Sequence, residues 1–310
     1  MSETLRFSES GIAPDIVDQI AKIFHVSAKE ITDIRIMKKG MTNRSFCFSV
    51  GGTRYIMRVP GEGTEYLINR SQEAQVYRII ADKGLCDNIV YFNSVNGYKI
   101  TKYLEGVRTC NPDSISDLKR CMEKLRDFHN MKLFVSHEFD LFGQIDFYES
   151  LRMGRKSMYK DYPQIKQKVL SLKGYICKHI TSYCLSHIDA VPDNFLFYMD
   201  SGVEKLQLTD WEYAGMQDPH VDIAMFCIYS SYDRSQVERL IDIYFEGNCS
   251  SCTRIKIYCY ISVCGLLWSN WCEYKRSLGV EFGEYSLRQY DYARKYFEIA
   301  EEMGAVNESG

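Results

Sequence analysis

The sequence has little surplus charge of either sign: 38 basic against 41 acidic residues leave a formal net charge of −3 over 310 positions. Without a polybasic stripe, a nucleic-acid partner is not expected. Long apolar runs are missing too. The longest, Ile257 to Trp268, is too short to cross a bilayer, so no membrane partner is expected either. At the polar N-terminus no cleavable signal is expected. Twelve cysteines are scattered from Cys47 to Cys272 without a regular framework, which points to free thiols in a reducing cytoplasm. Cys249-Ser-Ser-Cys252 has no second Cys or His pair near it and reads as a loop before a helix. His129 and His137 lack the spacing of metal ligands and read as packing or surface residues. What the chain does have is core material. With 45% hydrophobic and 14% aromatic residues it can fill one large globular domain or two lobes.

One stretch organises the rest: His187 to Asp210, HIDAVPDNFLFYMDSGVEKLQLTD. Its apolar runs, Phe195 to Met199 and Leu206 to Leu208, are separated by Asp200-Ser201-Gly202, the punctuation of a β-hairpin. With the fold-back centred near Gly202, Asn194 and Asp210 fall directly opposite each other, roughly 5 Å apart. An amide oxygen and a carboxylate are hard donors suited to Mg²⁺, which keeps several waters and takes further ligands from substrate phosphates. Asp189, five residues before Asn194 on the entering loop, can reach an incoming hydroxyl. The plainer alternative is an ordinary hairpin with an Asx-turn at its entry, and it leaves the polar feet unexplained.

Upstream, Pro14 to Val26 carries apolar residues at Ile16, Val17, Ile20, Ile23 and Phe24, the period of a packing helix. From Ile31 the period shortens to that of strands: Ile34 and Ile36, then Phe46, Phe48 and Val50, then Tyr55, Met57 and Val59, with a Gly51-Gly52 turn. The turn Lys39 to Asn43 offers backbone N–H groups and the Thr42 hydroxyl as a phosphate cradle, although a plain hairpin turn fits it as well. A helix from about Ser71 to Lys83, stopped at Gly84, carries Glu73 in its first turn. Two further strands, about Ile89 to Asn93 and Tyr98 to Tyr103, flank Val95-Asn96-Gly97 and complete the sheet. From Ile115 to Met131, and on to Lys178, the pattern is helical.

Downstream, Asp218-Pro219 reads as an N-cap and first-turn proline opening a helix with Asp222 in its first turn and Tyr229 two turns along the same face. A long helix from about Thr253 holds Trp268 and Trp271 three apart on one face. With Tyr285, Tyr290 or Tyr292 they suit a box for a quaternary ammonium group. An aromatic stripe at this spacing also suits a core.

His187-x-Asp189-x-x-x-x-Asn194, followed by a hairpin and Asp210-Trp-Glu212, resembles the catalytic loop and metal-binding Asp of the protein-kinase-like small-molecule kinases. Pro60-Gly-Glu-Gly-Thr64 is similar to a loop of choline kinases. Together with the tryptophan pair, these motifs make the chain, from about Ile31 to Phe297, resemble the bacterial-type choline kinases within the choline/ethanolamine kinase and aminoglycoside phosphotransferase superfamily. The resemblance implies an α+β, protein-kinase-like two-lobed fold. Residues 1–102 would form an N-terminal helix and an ATP-binding lobe with an antiparallel sheet and one helix. Residues 103–310 would form a mainly helical lobe with the catalytic hairpin and substrate pocket.

The activity so implied is transfer of the γ-phosphoryl group of ATP to the hydroxyl of choline, with Mg²⁺ as cofactor. By position, Asp189 would be the catalytic carboxylate, and Asn194 and Asp210 would hold Mg²⁺. Thr42, Asn43, Arg58, Glu73 and the hinge residues Tyr103 and Leu104 would serve ATP, with Glu73 orienting Arg58. Tyr229, Trp268, Trp271 and Tyr285 would line the choline pocket. His187 and Asp222 would be structural, Asp222 bracing the catalytic loop, and Gly61 to Thr64 would be a lid near the phosphates. Ile188 departs from the superfamily, which often has a small or polar residue there. Ethanolamine, another amino alcohol or an aminoglycoside as acceptor stays open, as does a catalytically inactive kinase-like binding module. The oligomeric state is unassigned.

Overall fold

In the computed structural model, which describes residues 14–37, 43–61, 63–86 and 89–306, the chain divides into two units. One is Met1–Val107 with Tyr198–Gln207, the other Arg108–Phe197 with Leu208–Gly310. The first is built on a five-stranded antiparallel sheet of order β1-β2-β3-β5-β4, formed by β1 (Ile31–Ile36), β2 (Asn43–Val50), β3 (Thr53–Pro60), β4 (Ile89–Phe92) and β5 (Lys99–Lys102). The β2-β3 turn is Gly51-Gly52, both at positive φ (56° and 75°), as a two-residue hairpin demands. Helix α1 (Pro14–Phe24) ends two residues before the predicted stop, at His25 with φ 55°. It lays Ile16, Val17 and Ile20 against Ile31, Phe46, Phe48, Met57 and Ile100 in one apolar cluster. Cys47, on the opposite face of β2 from Phe46 and Phe48, is buried as well, so the strand's burial is continuous where alternation was expected. Helix α2 (Arg70–Ile80) is capped by Asn69, whose side chain accepts from the Ser71 and Gln72 N–H groups, and ends three residues short of Lys83.

The second unit is mainly helical: α3 (Ile115–Asn130), α4 (Leu141–Ser150), α5 (Tyr162–Ser171), α6 (Lys173–His179), α7 (His220–Tyr229), α8 (Arg234–Phe245), α9 (Ser251–Ser277) and α10 (Glu284–Glu302). Short β6 (Arg108–Thr109) pairs with the start of β8 (Phe195–Asp200) through Arg108–Phe197 and Thr109–Leu196; the rest of β8 and most of β9 (Val203–Leu208), the other arm of the hairpin, are grouped with the first unit. Two three-residue strands that sequence periodicity could not register, β7 (Cys184–Ser186) and β10 (Gly215–Gln217), pair antiparallel and bracket the stretch from His187 to Asp210. Helix α9 starts at Ser251, with the Ser250 hydroxyl accepting from Thr253 N–H. It is buried from Ile255 to Lys275, nearly all round, the signature of a central helix. At Gly265 a Cβ would meet Gln289 O at 2.6 Å and Ala293 N at 2.8 Å of α10, so the two backbones touch because that position has no side chain.

The expectation at Asp218 needs correction. Pro219, not Asp218, occupies the N-cap of α7. Buried Asp218 still accepts from His220 N–H at 3.0 Å, but it also forms an ion pair with fully buried Lys256, which adds a bond to His179 O at 2.9 Å. A buried charge must be paired, and Lys256 claims this one. Among the described residues no helix is long and apolar enough to cross a membrane.

Candidate active site

Two residues at positive φ, Ser201 (52°) and Gly202 (82°), turn the catalytic hairpin. A two-residue turn places the fold-back between these residues rather than on Gly202, so the predicted register is one residue off. Thr209, not Asp210, lies opposite Asn194, its N–H donating to Asn194 O at 2.9 Å. Asp210 is the next residue, and its left-handed backbone (φ 65°) breaks the strand's alternation at that point. The Asn194 Nδ2 donates to Asp189 O at 2.8 Å and to Asp189 Oδ2 at 3.1 Å. With the amino group used in this way, the amide oxygen is the donor atom left for a cation.

Burial, then the charges of Asp210 and Glu212, push the partly buried Asp189 carboxyl up to about 8. Asp189, Asn194 and Asp210 thus share one site crowded with negative charge. Hard oxygen donors and excess negative charge suit a divalent cation such as Mg²⁺. Among the described residues no group of three His, Cys, Asp or Glu side chains is placed to hold a metal ion.

A buried brace holds the loop beneath this site. The Asp222 carboxylate accepts from His187 N–H at 2.8 Å and from Ile188 N–H at 2.7 Å. Its Oδ2 also meets His129 Nε2 at 3.0 Å, while His129 Nδ1 meets the Tyr244 hydroxyl at 2.8 Å. Ile188 is fully buried and has φ 68°, a left-handed conformation that is costly for a β-branched residue and persists only where its surroundings enforce it. The His187 ring bonds Thr209 O at 2.8 Å through Nε2 and packs on Trp211 at 4.6 Å between ring centroids. Burial lowers its pKa, so it stays neutral as a structural tie.

Around Asp189 stands a wall of aromatic rings. Trp268 and Trp271 lie 5.9 Å apart at 79°; Trp271 meets Phe282 at 5.2 Å, Phe282 meets Tyr285 at 6.3 Å, and Tyr285 meets Tyr229 at 6.0 Å. Tyr213 packs edge-on to Trp268 at 5.4 Å, and its hydroxyl accepts from Trp271 Nε1 at 3.2 Å. Tyr148 stacks on the other side of the row at 6.3 Å from Trp268. The hydroxyls of Tyr148, Tyr213, Tyr229 and Tyr285 are all shifted up, chiefly by burial and in each case also by the charge of Asp189. Four tyrosines from separate segments therefore lie within electrostatic reach of one carboxylate. Tyr290 and Tyr292 lie elsewhere. The first stacks on Tyr159 at 3.8 Å, and the second donates to Tyr232 O at 2.6 Å.

In the first unit, Arg58 on β3 forms an ion pair with Glu73 on α2, both buried. Arg70 shares the same carboxylate at 2.7 Å, which the sequence reading missed. Asn43 is buried at the start of β2, opposite Pro60. Thr42 and Glu62 lie outside the described residues. The far end of the supposed lid is anchored: Thr64 is 1% exposed and its hydroxyl donates to Gly61 O at 2.6 Å. Tyr103 N–H is already spent on Arg54 O at 3.0 Å, so of the hinge only the Tyr103 carbonyl and the Leu104 backbone are left for a base.

Sequence reasoning overlooked Tyr213, Phe282 and Tyr148, and it saw His129 only as a packing or surface residue. Tyr213 sits three residues after Asp210, close enough to the motif to have been suspected. His129 acts on Asp222 across 93 positions and gave no local signal.

The family model for choline/ethanolamine kinase matches residues 34–249. Protein LicA of Haemophilus influenzae is 27% identical over 277 residues, covering 84% of this chain and 78% of that protein. The crystal structure of choline kinase LicA from Streptococcus pneumoniae superposes with a TM-score of 0.79 at 29% identity, covering 92% of this chain and 98% of that one. LicA in complex with AMP gives a TM-score of 0.76 at 28% identity, over 92% of this chain and 98% of that one.

Proposed function

The chain belongs to the choline/ethanolamine kinase family, and from that premise we propose that it transfers the γ-phosphoryl group of ATP to the hydroxyl of choline, giving phosphocholine and ADP. The observation that carries this reading is the convergence of aromatic faces on Asp189. Such faces attract a cation that cannot donate hydrogen bonds, and they would present its hydroxyl arm to the carboxylate. Asp189 orients that hydroxyl and accepts its proton as the oxygen attacks the γ-phosphorus and the bond to the β-phosphate oxygen breaks. Asn194 and Asp210 would hold Mg²⁺, which supplies charge neutralisation for the phosphates when bound. Arg58, clamped by Glu73, serves the phosphates of ATP, as a charged fork does wherever it is fixed. The hinge backbone at Tyr103 and Leu104 serves the adenine. We place the protein in the cytoplasm, where its twelve free thiols stay reduced.

A coupled assay of ADP release with choline, ethanolamine and an aminoglycoside tests the reading directly. Choline is expected to be the preferred acceptor; turnover with another acceptor and none with choline would overturn it. Asp189→Ala should lower kcat by about a thousandfold with the dissociation constant for ATP little changed, whereas Arg58→Ala should weaken ATP binding.

A further inference from the structure

Asp193 belongs to the catalytic loop, one residue before Asn194, yet nothing in the proposed chemistry uses it. It is exposed, in the short helical turn Pro192–Asn194, and its Oδ2 accepts a 2.6 Å hydrogen bond from the Tyr229 hydroxyl. Tyr229 is itself part of the aromatic wall, 6.0 Å from Tyr285. The bond therefore fixes a carboxylate beside the aromatic wall. We propose that Asp193 is the specificity residue for the charged end of the acceptor, supplying the fixed negative charge that draws a cationic head group to the aromatic wall and helps retain it there. This inference rests on the amino-alcohol kinase reading and deepens it.

Three observations support the assignment. Aromatic faces recognise a cation by their quadrupoles alone, and a nearby carboxylate adds a longer-range attraction that faces alone do not provide. In the proposed reaction Asp189 is occupied with the hydroxyl end of the acceptor, and its Oδ2 already accepts from Asn194 Nδ2 at 3.1 Å, which leaves the ammonium end to a second carboxylate. Asp193, in contrast, is exposed and tied through one oxygen by the Tyr229 hydroxyl, a bond that does not use its second oxygen. Tyr229 thereby has two functions, a ring for the cation and a hydroxyl that aims the carboxylate.

The test compares choline with its uncharged isostere 3,3-dimethylbutan-1-ol, which has the same shape and hydroxyl. Binding of each to the full-length protein is measured by calorimetry in wild type, Asp193→Asn and Tyr229→Phe, together with turnover in wild type. Asp193→Asn keeps an acceptor for Tyr229 and removes only the charge. It is expected to weaken choline binding about three- to tenfold, the range for a partly screened ion pair, to leave the isostere unchanged, and to flatten the dependence of choline binding on salt. Tyr229→Phe keeps the ring and releases the carboxylate, so it should weaken choline binding and leave the isostere little changed. Equal loss for both ligands in Asp193→Asn, or no loss for either, would overturn the proposal. Wild type that binds choline but does not phosphorylate it would overturn the kinase reading while leaving the binding comparison decisive for Asp193. Wild type that does not bind choline would overturn both.

Discussion

Replacing Asp222 by alanine should be among the most damaging single changes in the second unit, and the cost can be worked from its contacts. The carboxylate is fully buried and accepts from two backbone N–H groups and one imidazole nitrogen, at 2.7 to 3.0 Å. Each buried group left without a partner costs about 1–3 kcal/mol, so three orphaned partners put the loss at about 3–9 kcal/mol. Ile188 would then lose the restraint on its left-handed backbone, and relaxation there adds a displacement of the loop carrying Asp189. A shift of about 1 Å in a catalytic group costs on the order of a hundredfold in rate. Asp222→Asn should fall between wild type and alanine, because one carbonyl oxygen survives while the new amide N–H faces a backbone N–H. Urea denaturation and steady-state kinetics on the two variants read both effects. His129→Ala supplies a double-mutant cycle, and its loss should overlap with that of Asp222→Ala rather than add to it. An alanine variant within about 1 kcal/mol of wild type, and with turnover little reduced, would refute the brace.

Two further predictions concern charge. In the metal-free protein Asp189 keeps a proton up to about pH 8, whereas an unfolded aspartate loses it near 3.9. The stability contribution of that group is thus full below about pH 4 and is lost as the pH rises toward 8. Asp189→Asn should therefore be more stable than wild type by about 2–4 kcal/mol at pH 7 and equal to it near pH 4; a gap that does not change with pH would contradict the reasoning. Glu273, buried on α9, accepts from Arg152 Nη1 at 2.6 Å, from Ser157 Oγ at 2.9 Å and from Met158 N–H at 2.7 Å, pinning the segment between α4 and α5. Glu273→Gln should destabilise by about 2–3 kcal/mol and speed tryptic cleavage after the exposed Arg155 or Lys156, which limited proteolysis can time.

The division of legible from illegible follows the range of the interactions. The hairpin, the Gly51-Gly52 turn and the shared face of Trp268 and Trp271 are written in local spacing, and a reader with only the sequence recovers them. The one-residue error in register between Asn194 and Asp210 is a failure of a different kind. Loop composition marks a turn, but its length decides which residues oppose, and Ser201 at positive φ was not evident from its side chain. Asp218 was misread for the same reason as His129: the partner that decides its role, Lys256 or Asp222, lies far away in sequence. Contacts made across such distances follow from packing, and packing is not periodic.

The close approach at Gly265 bears on how the pocket can adapt to what it holds. Trp268 and Trp271 ride on α9, Tyr285 on α10, and with the two backbones in contact at Gly265 the helices should move together. Accommodation of a bulkier head group then falls to the connector between them, where Phe282 sits flanked by Gly279 and Gly283, both at positive φ. The range of acceptors the protein tolerates should consequently be set by six residues of loop, while the tryptophans serve as a fixed gauge.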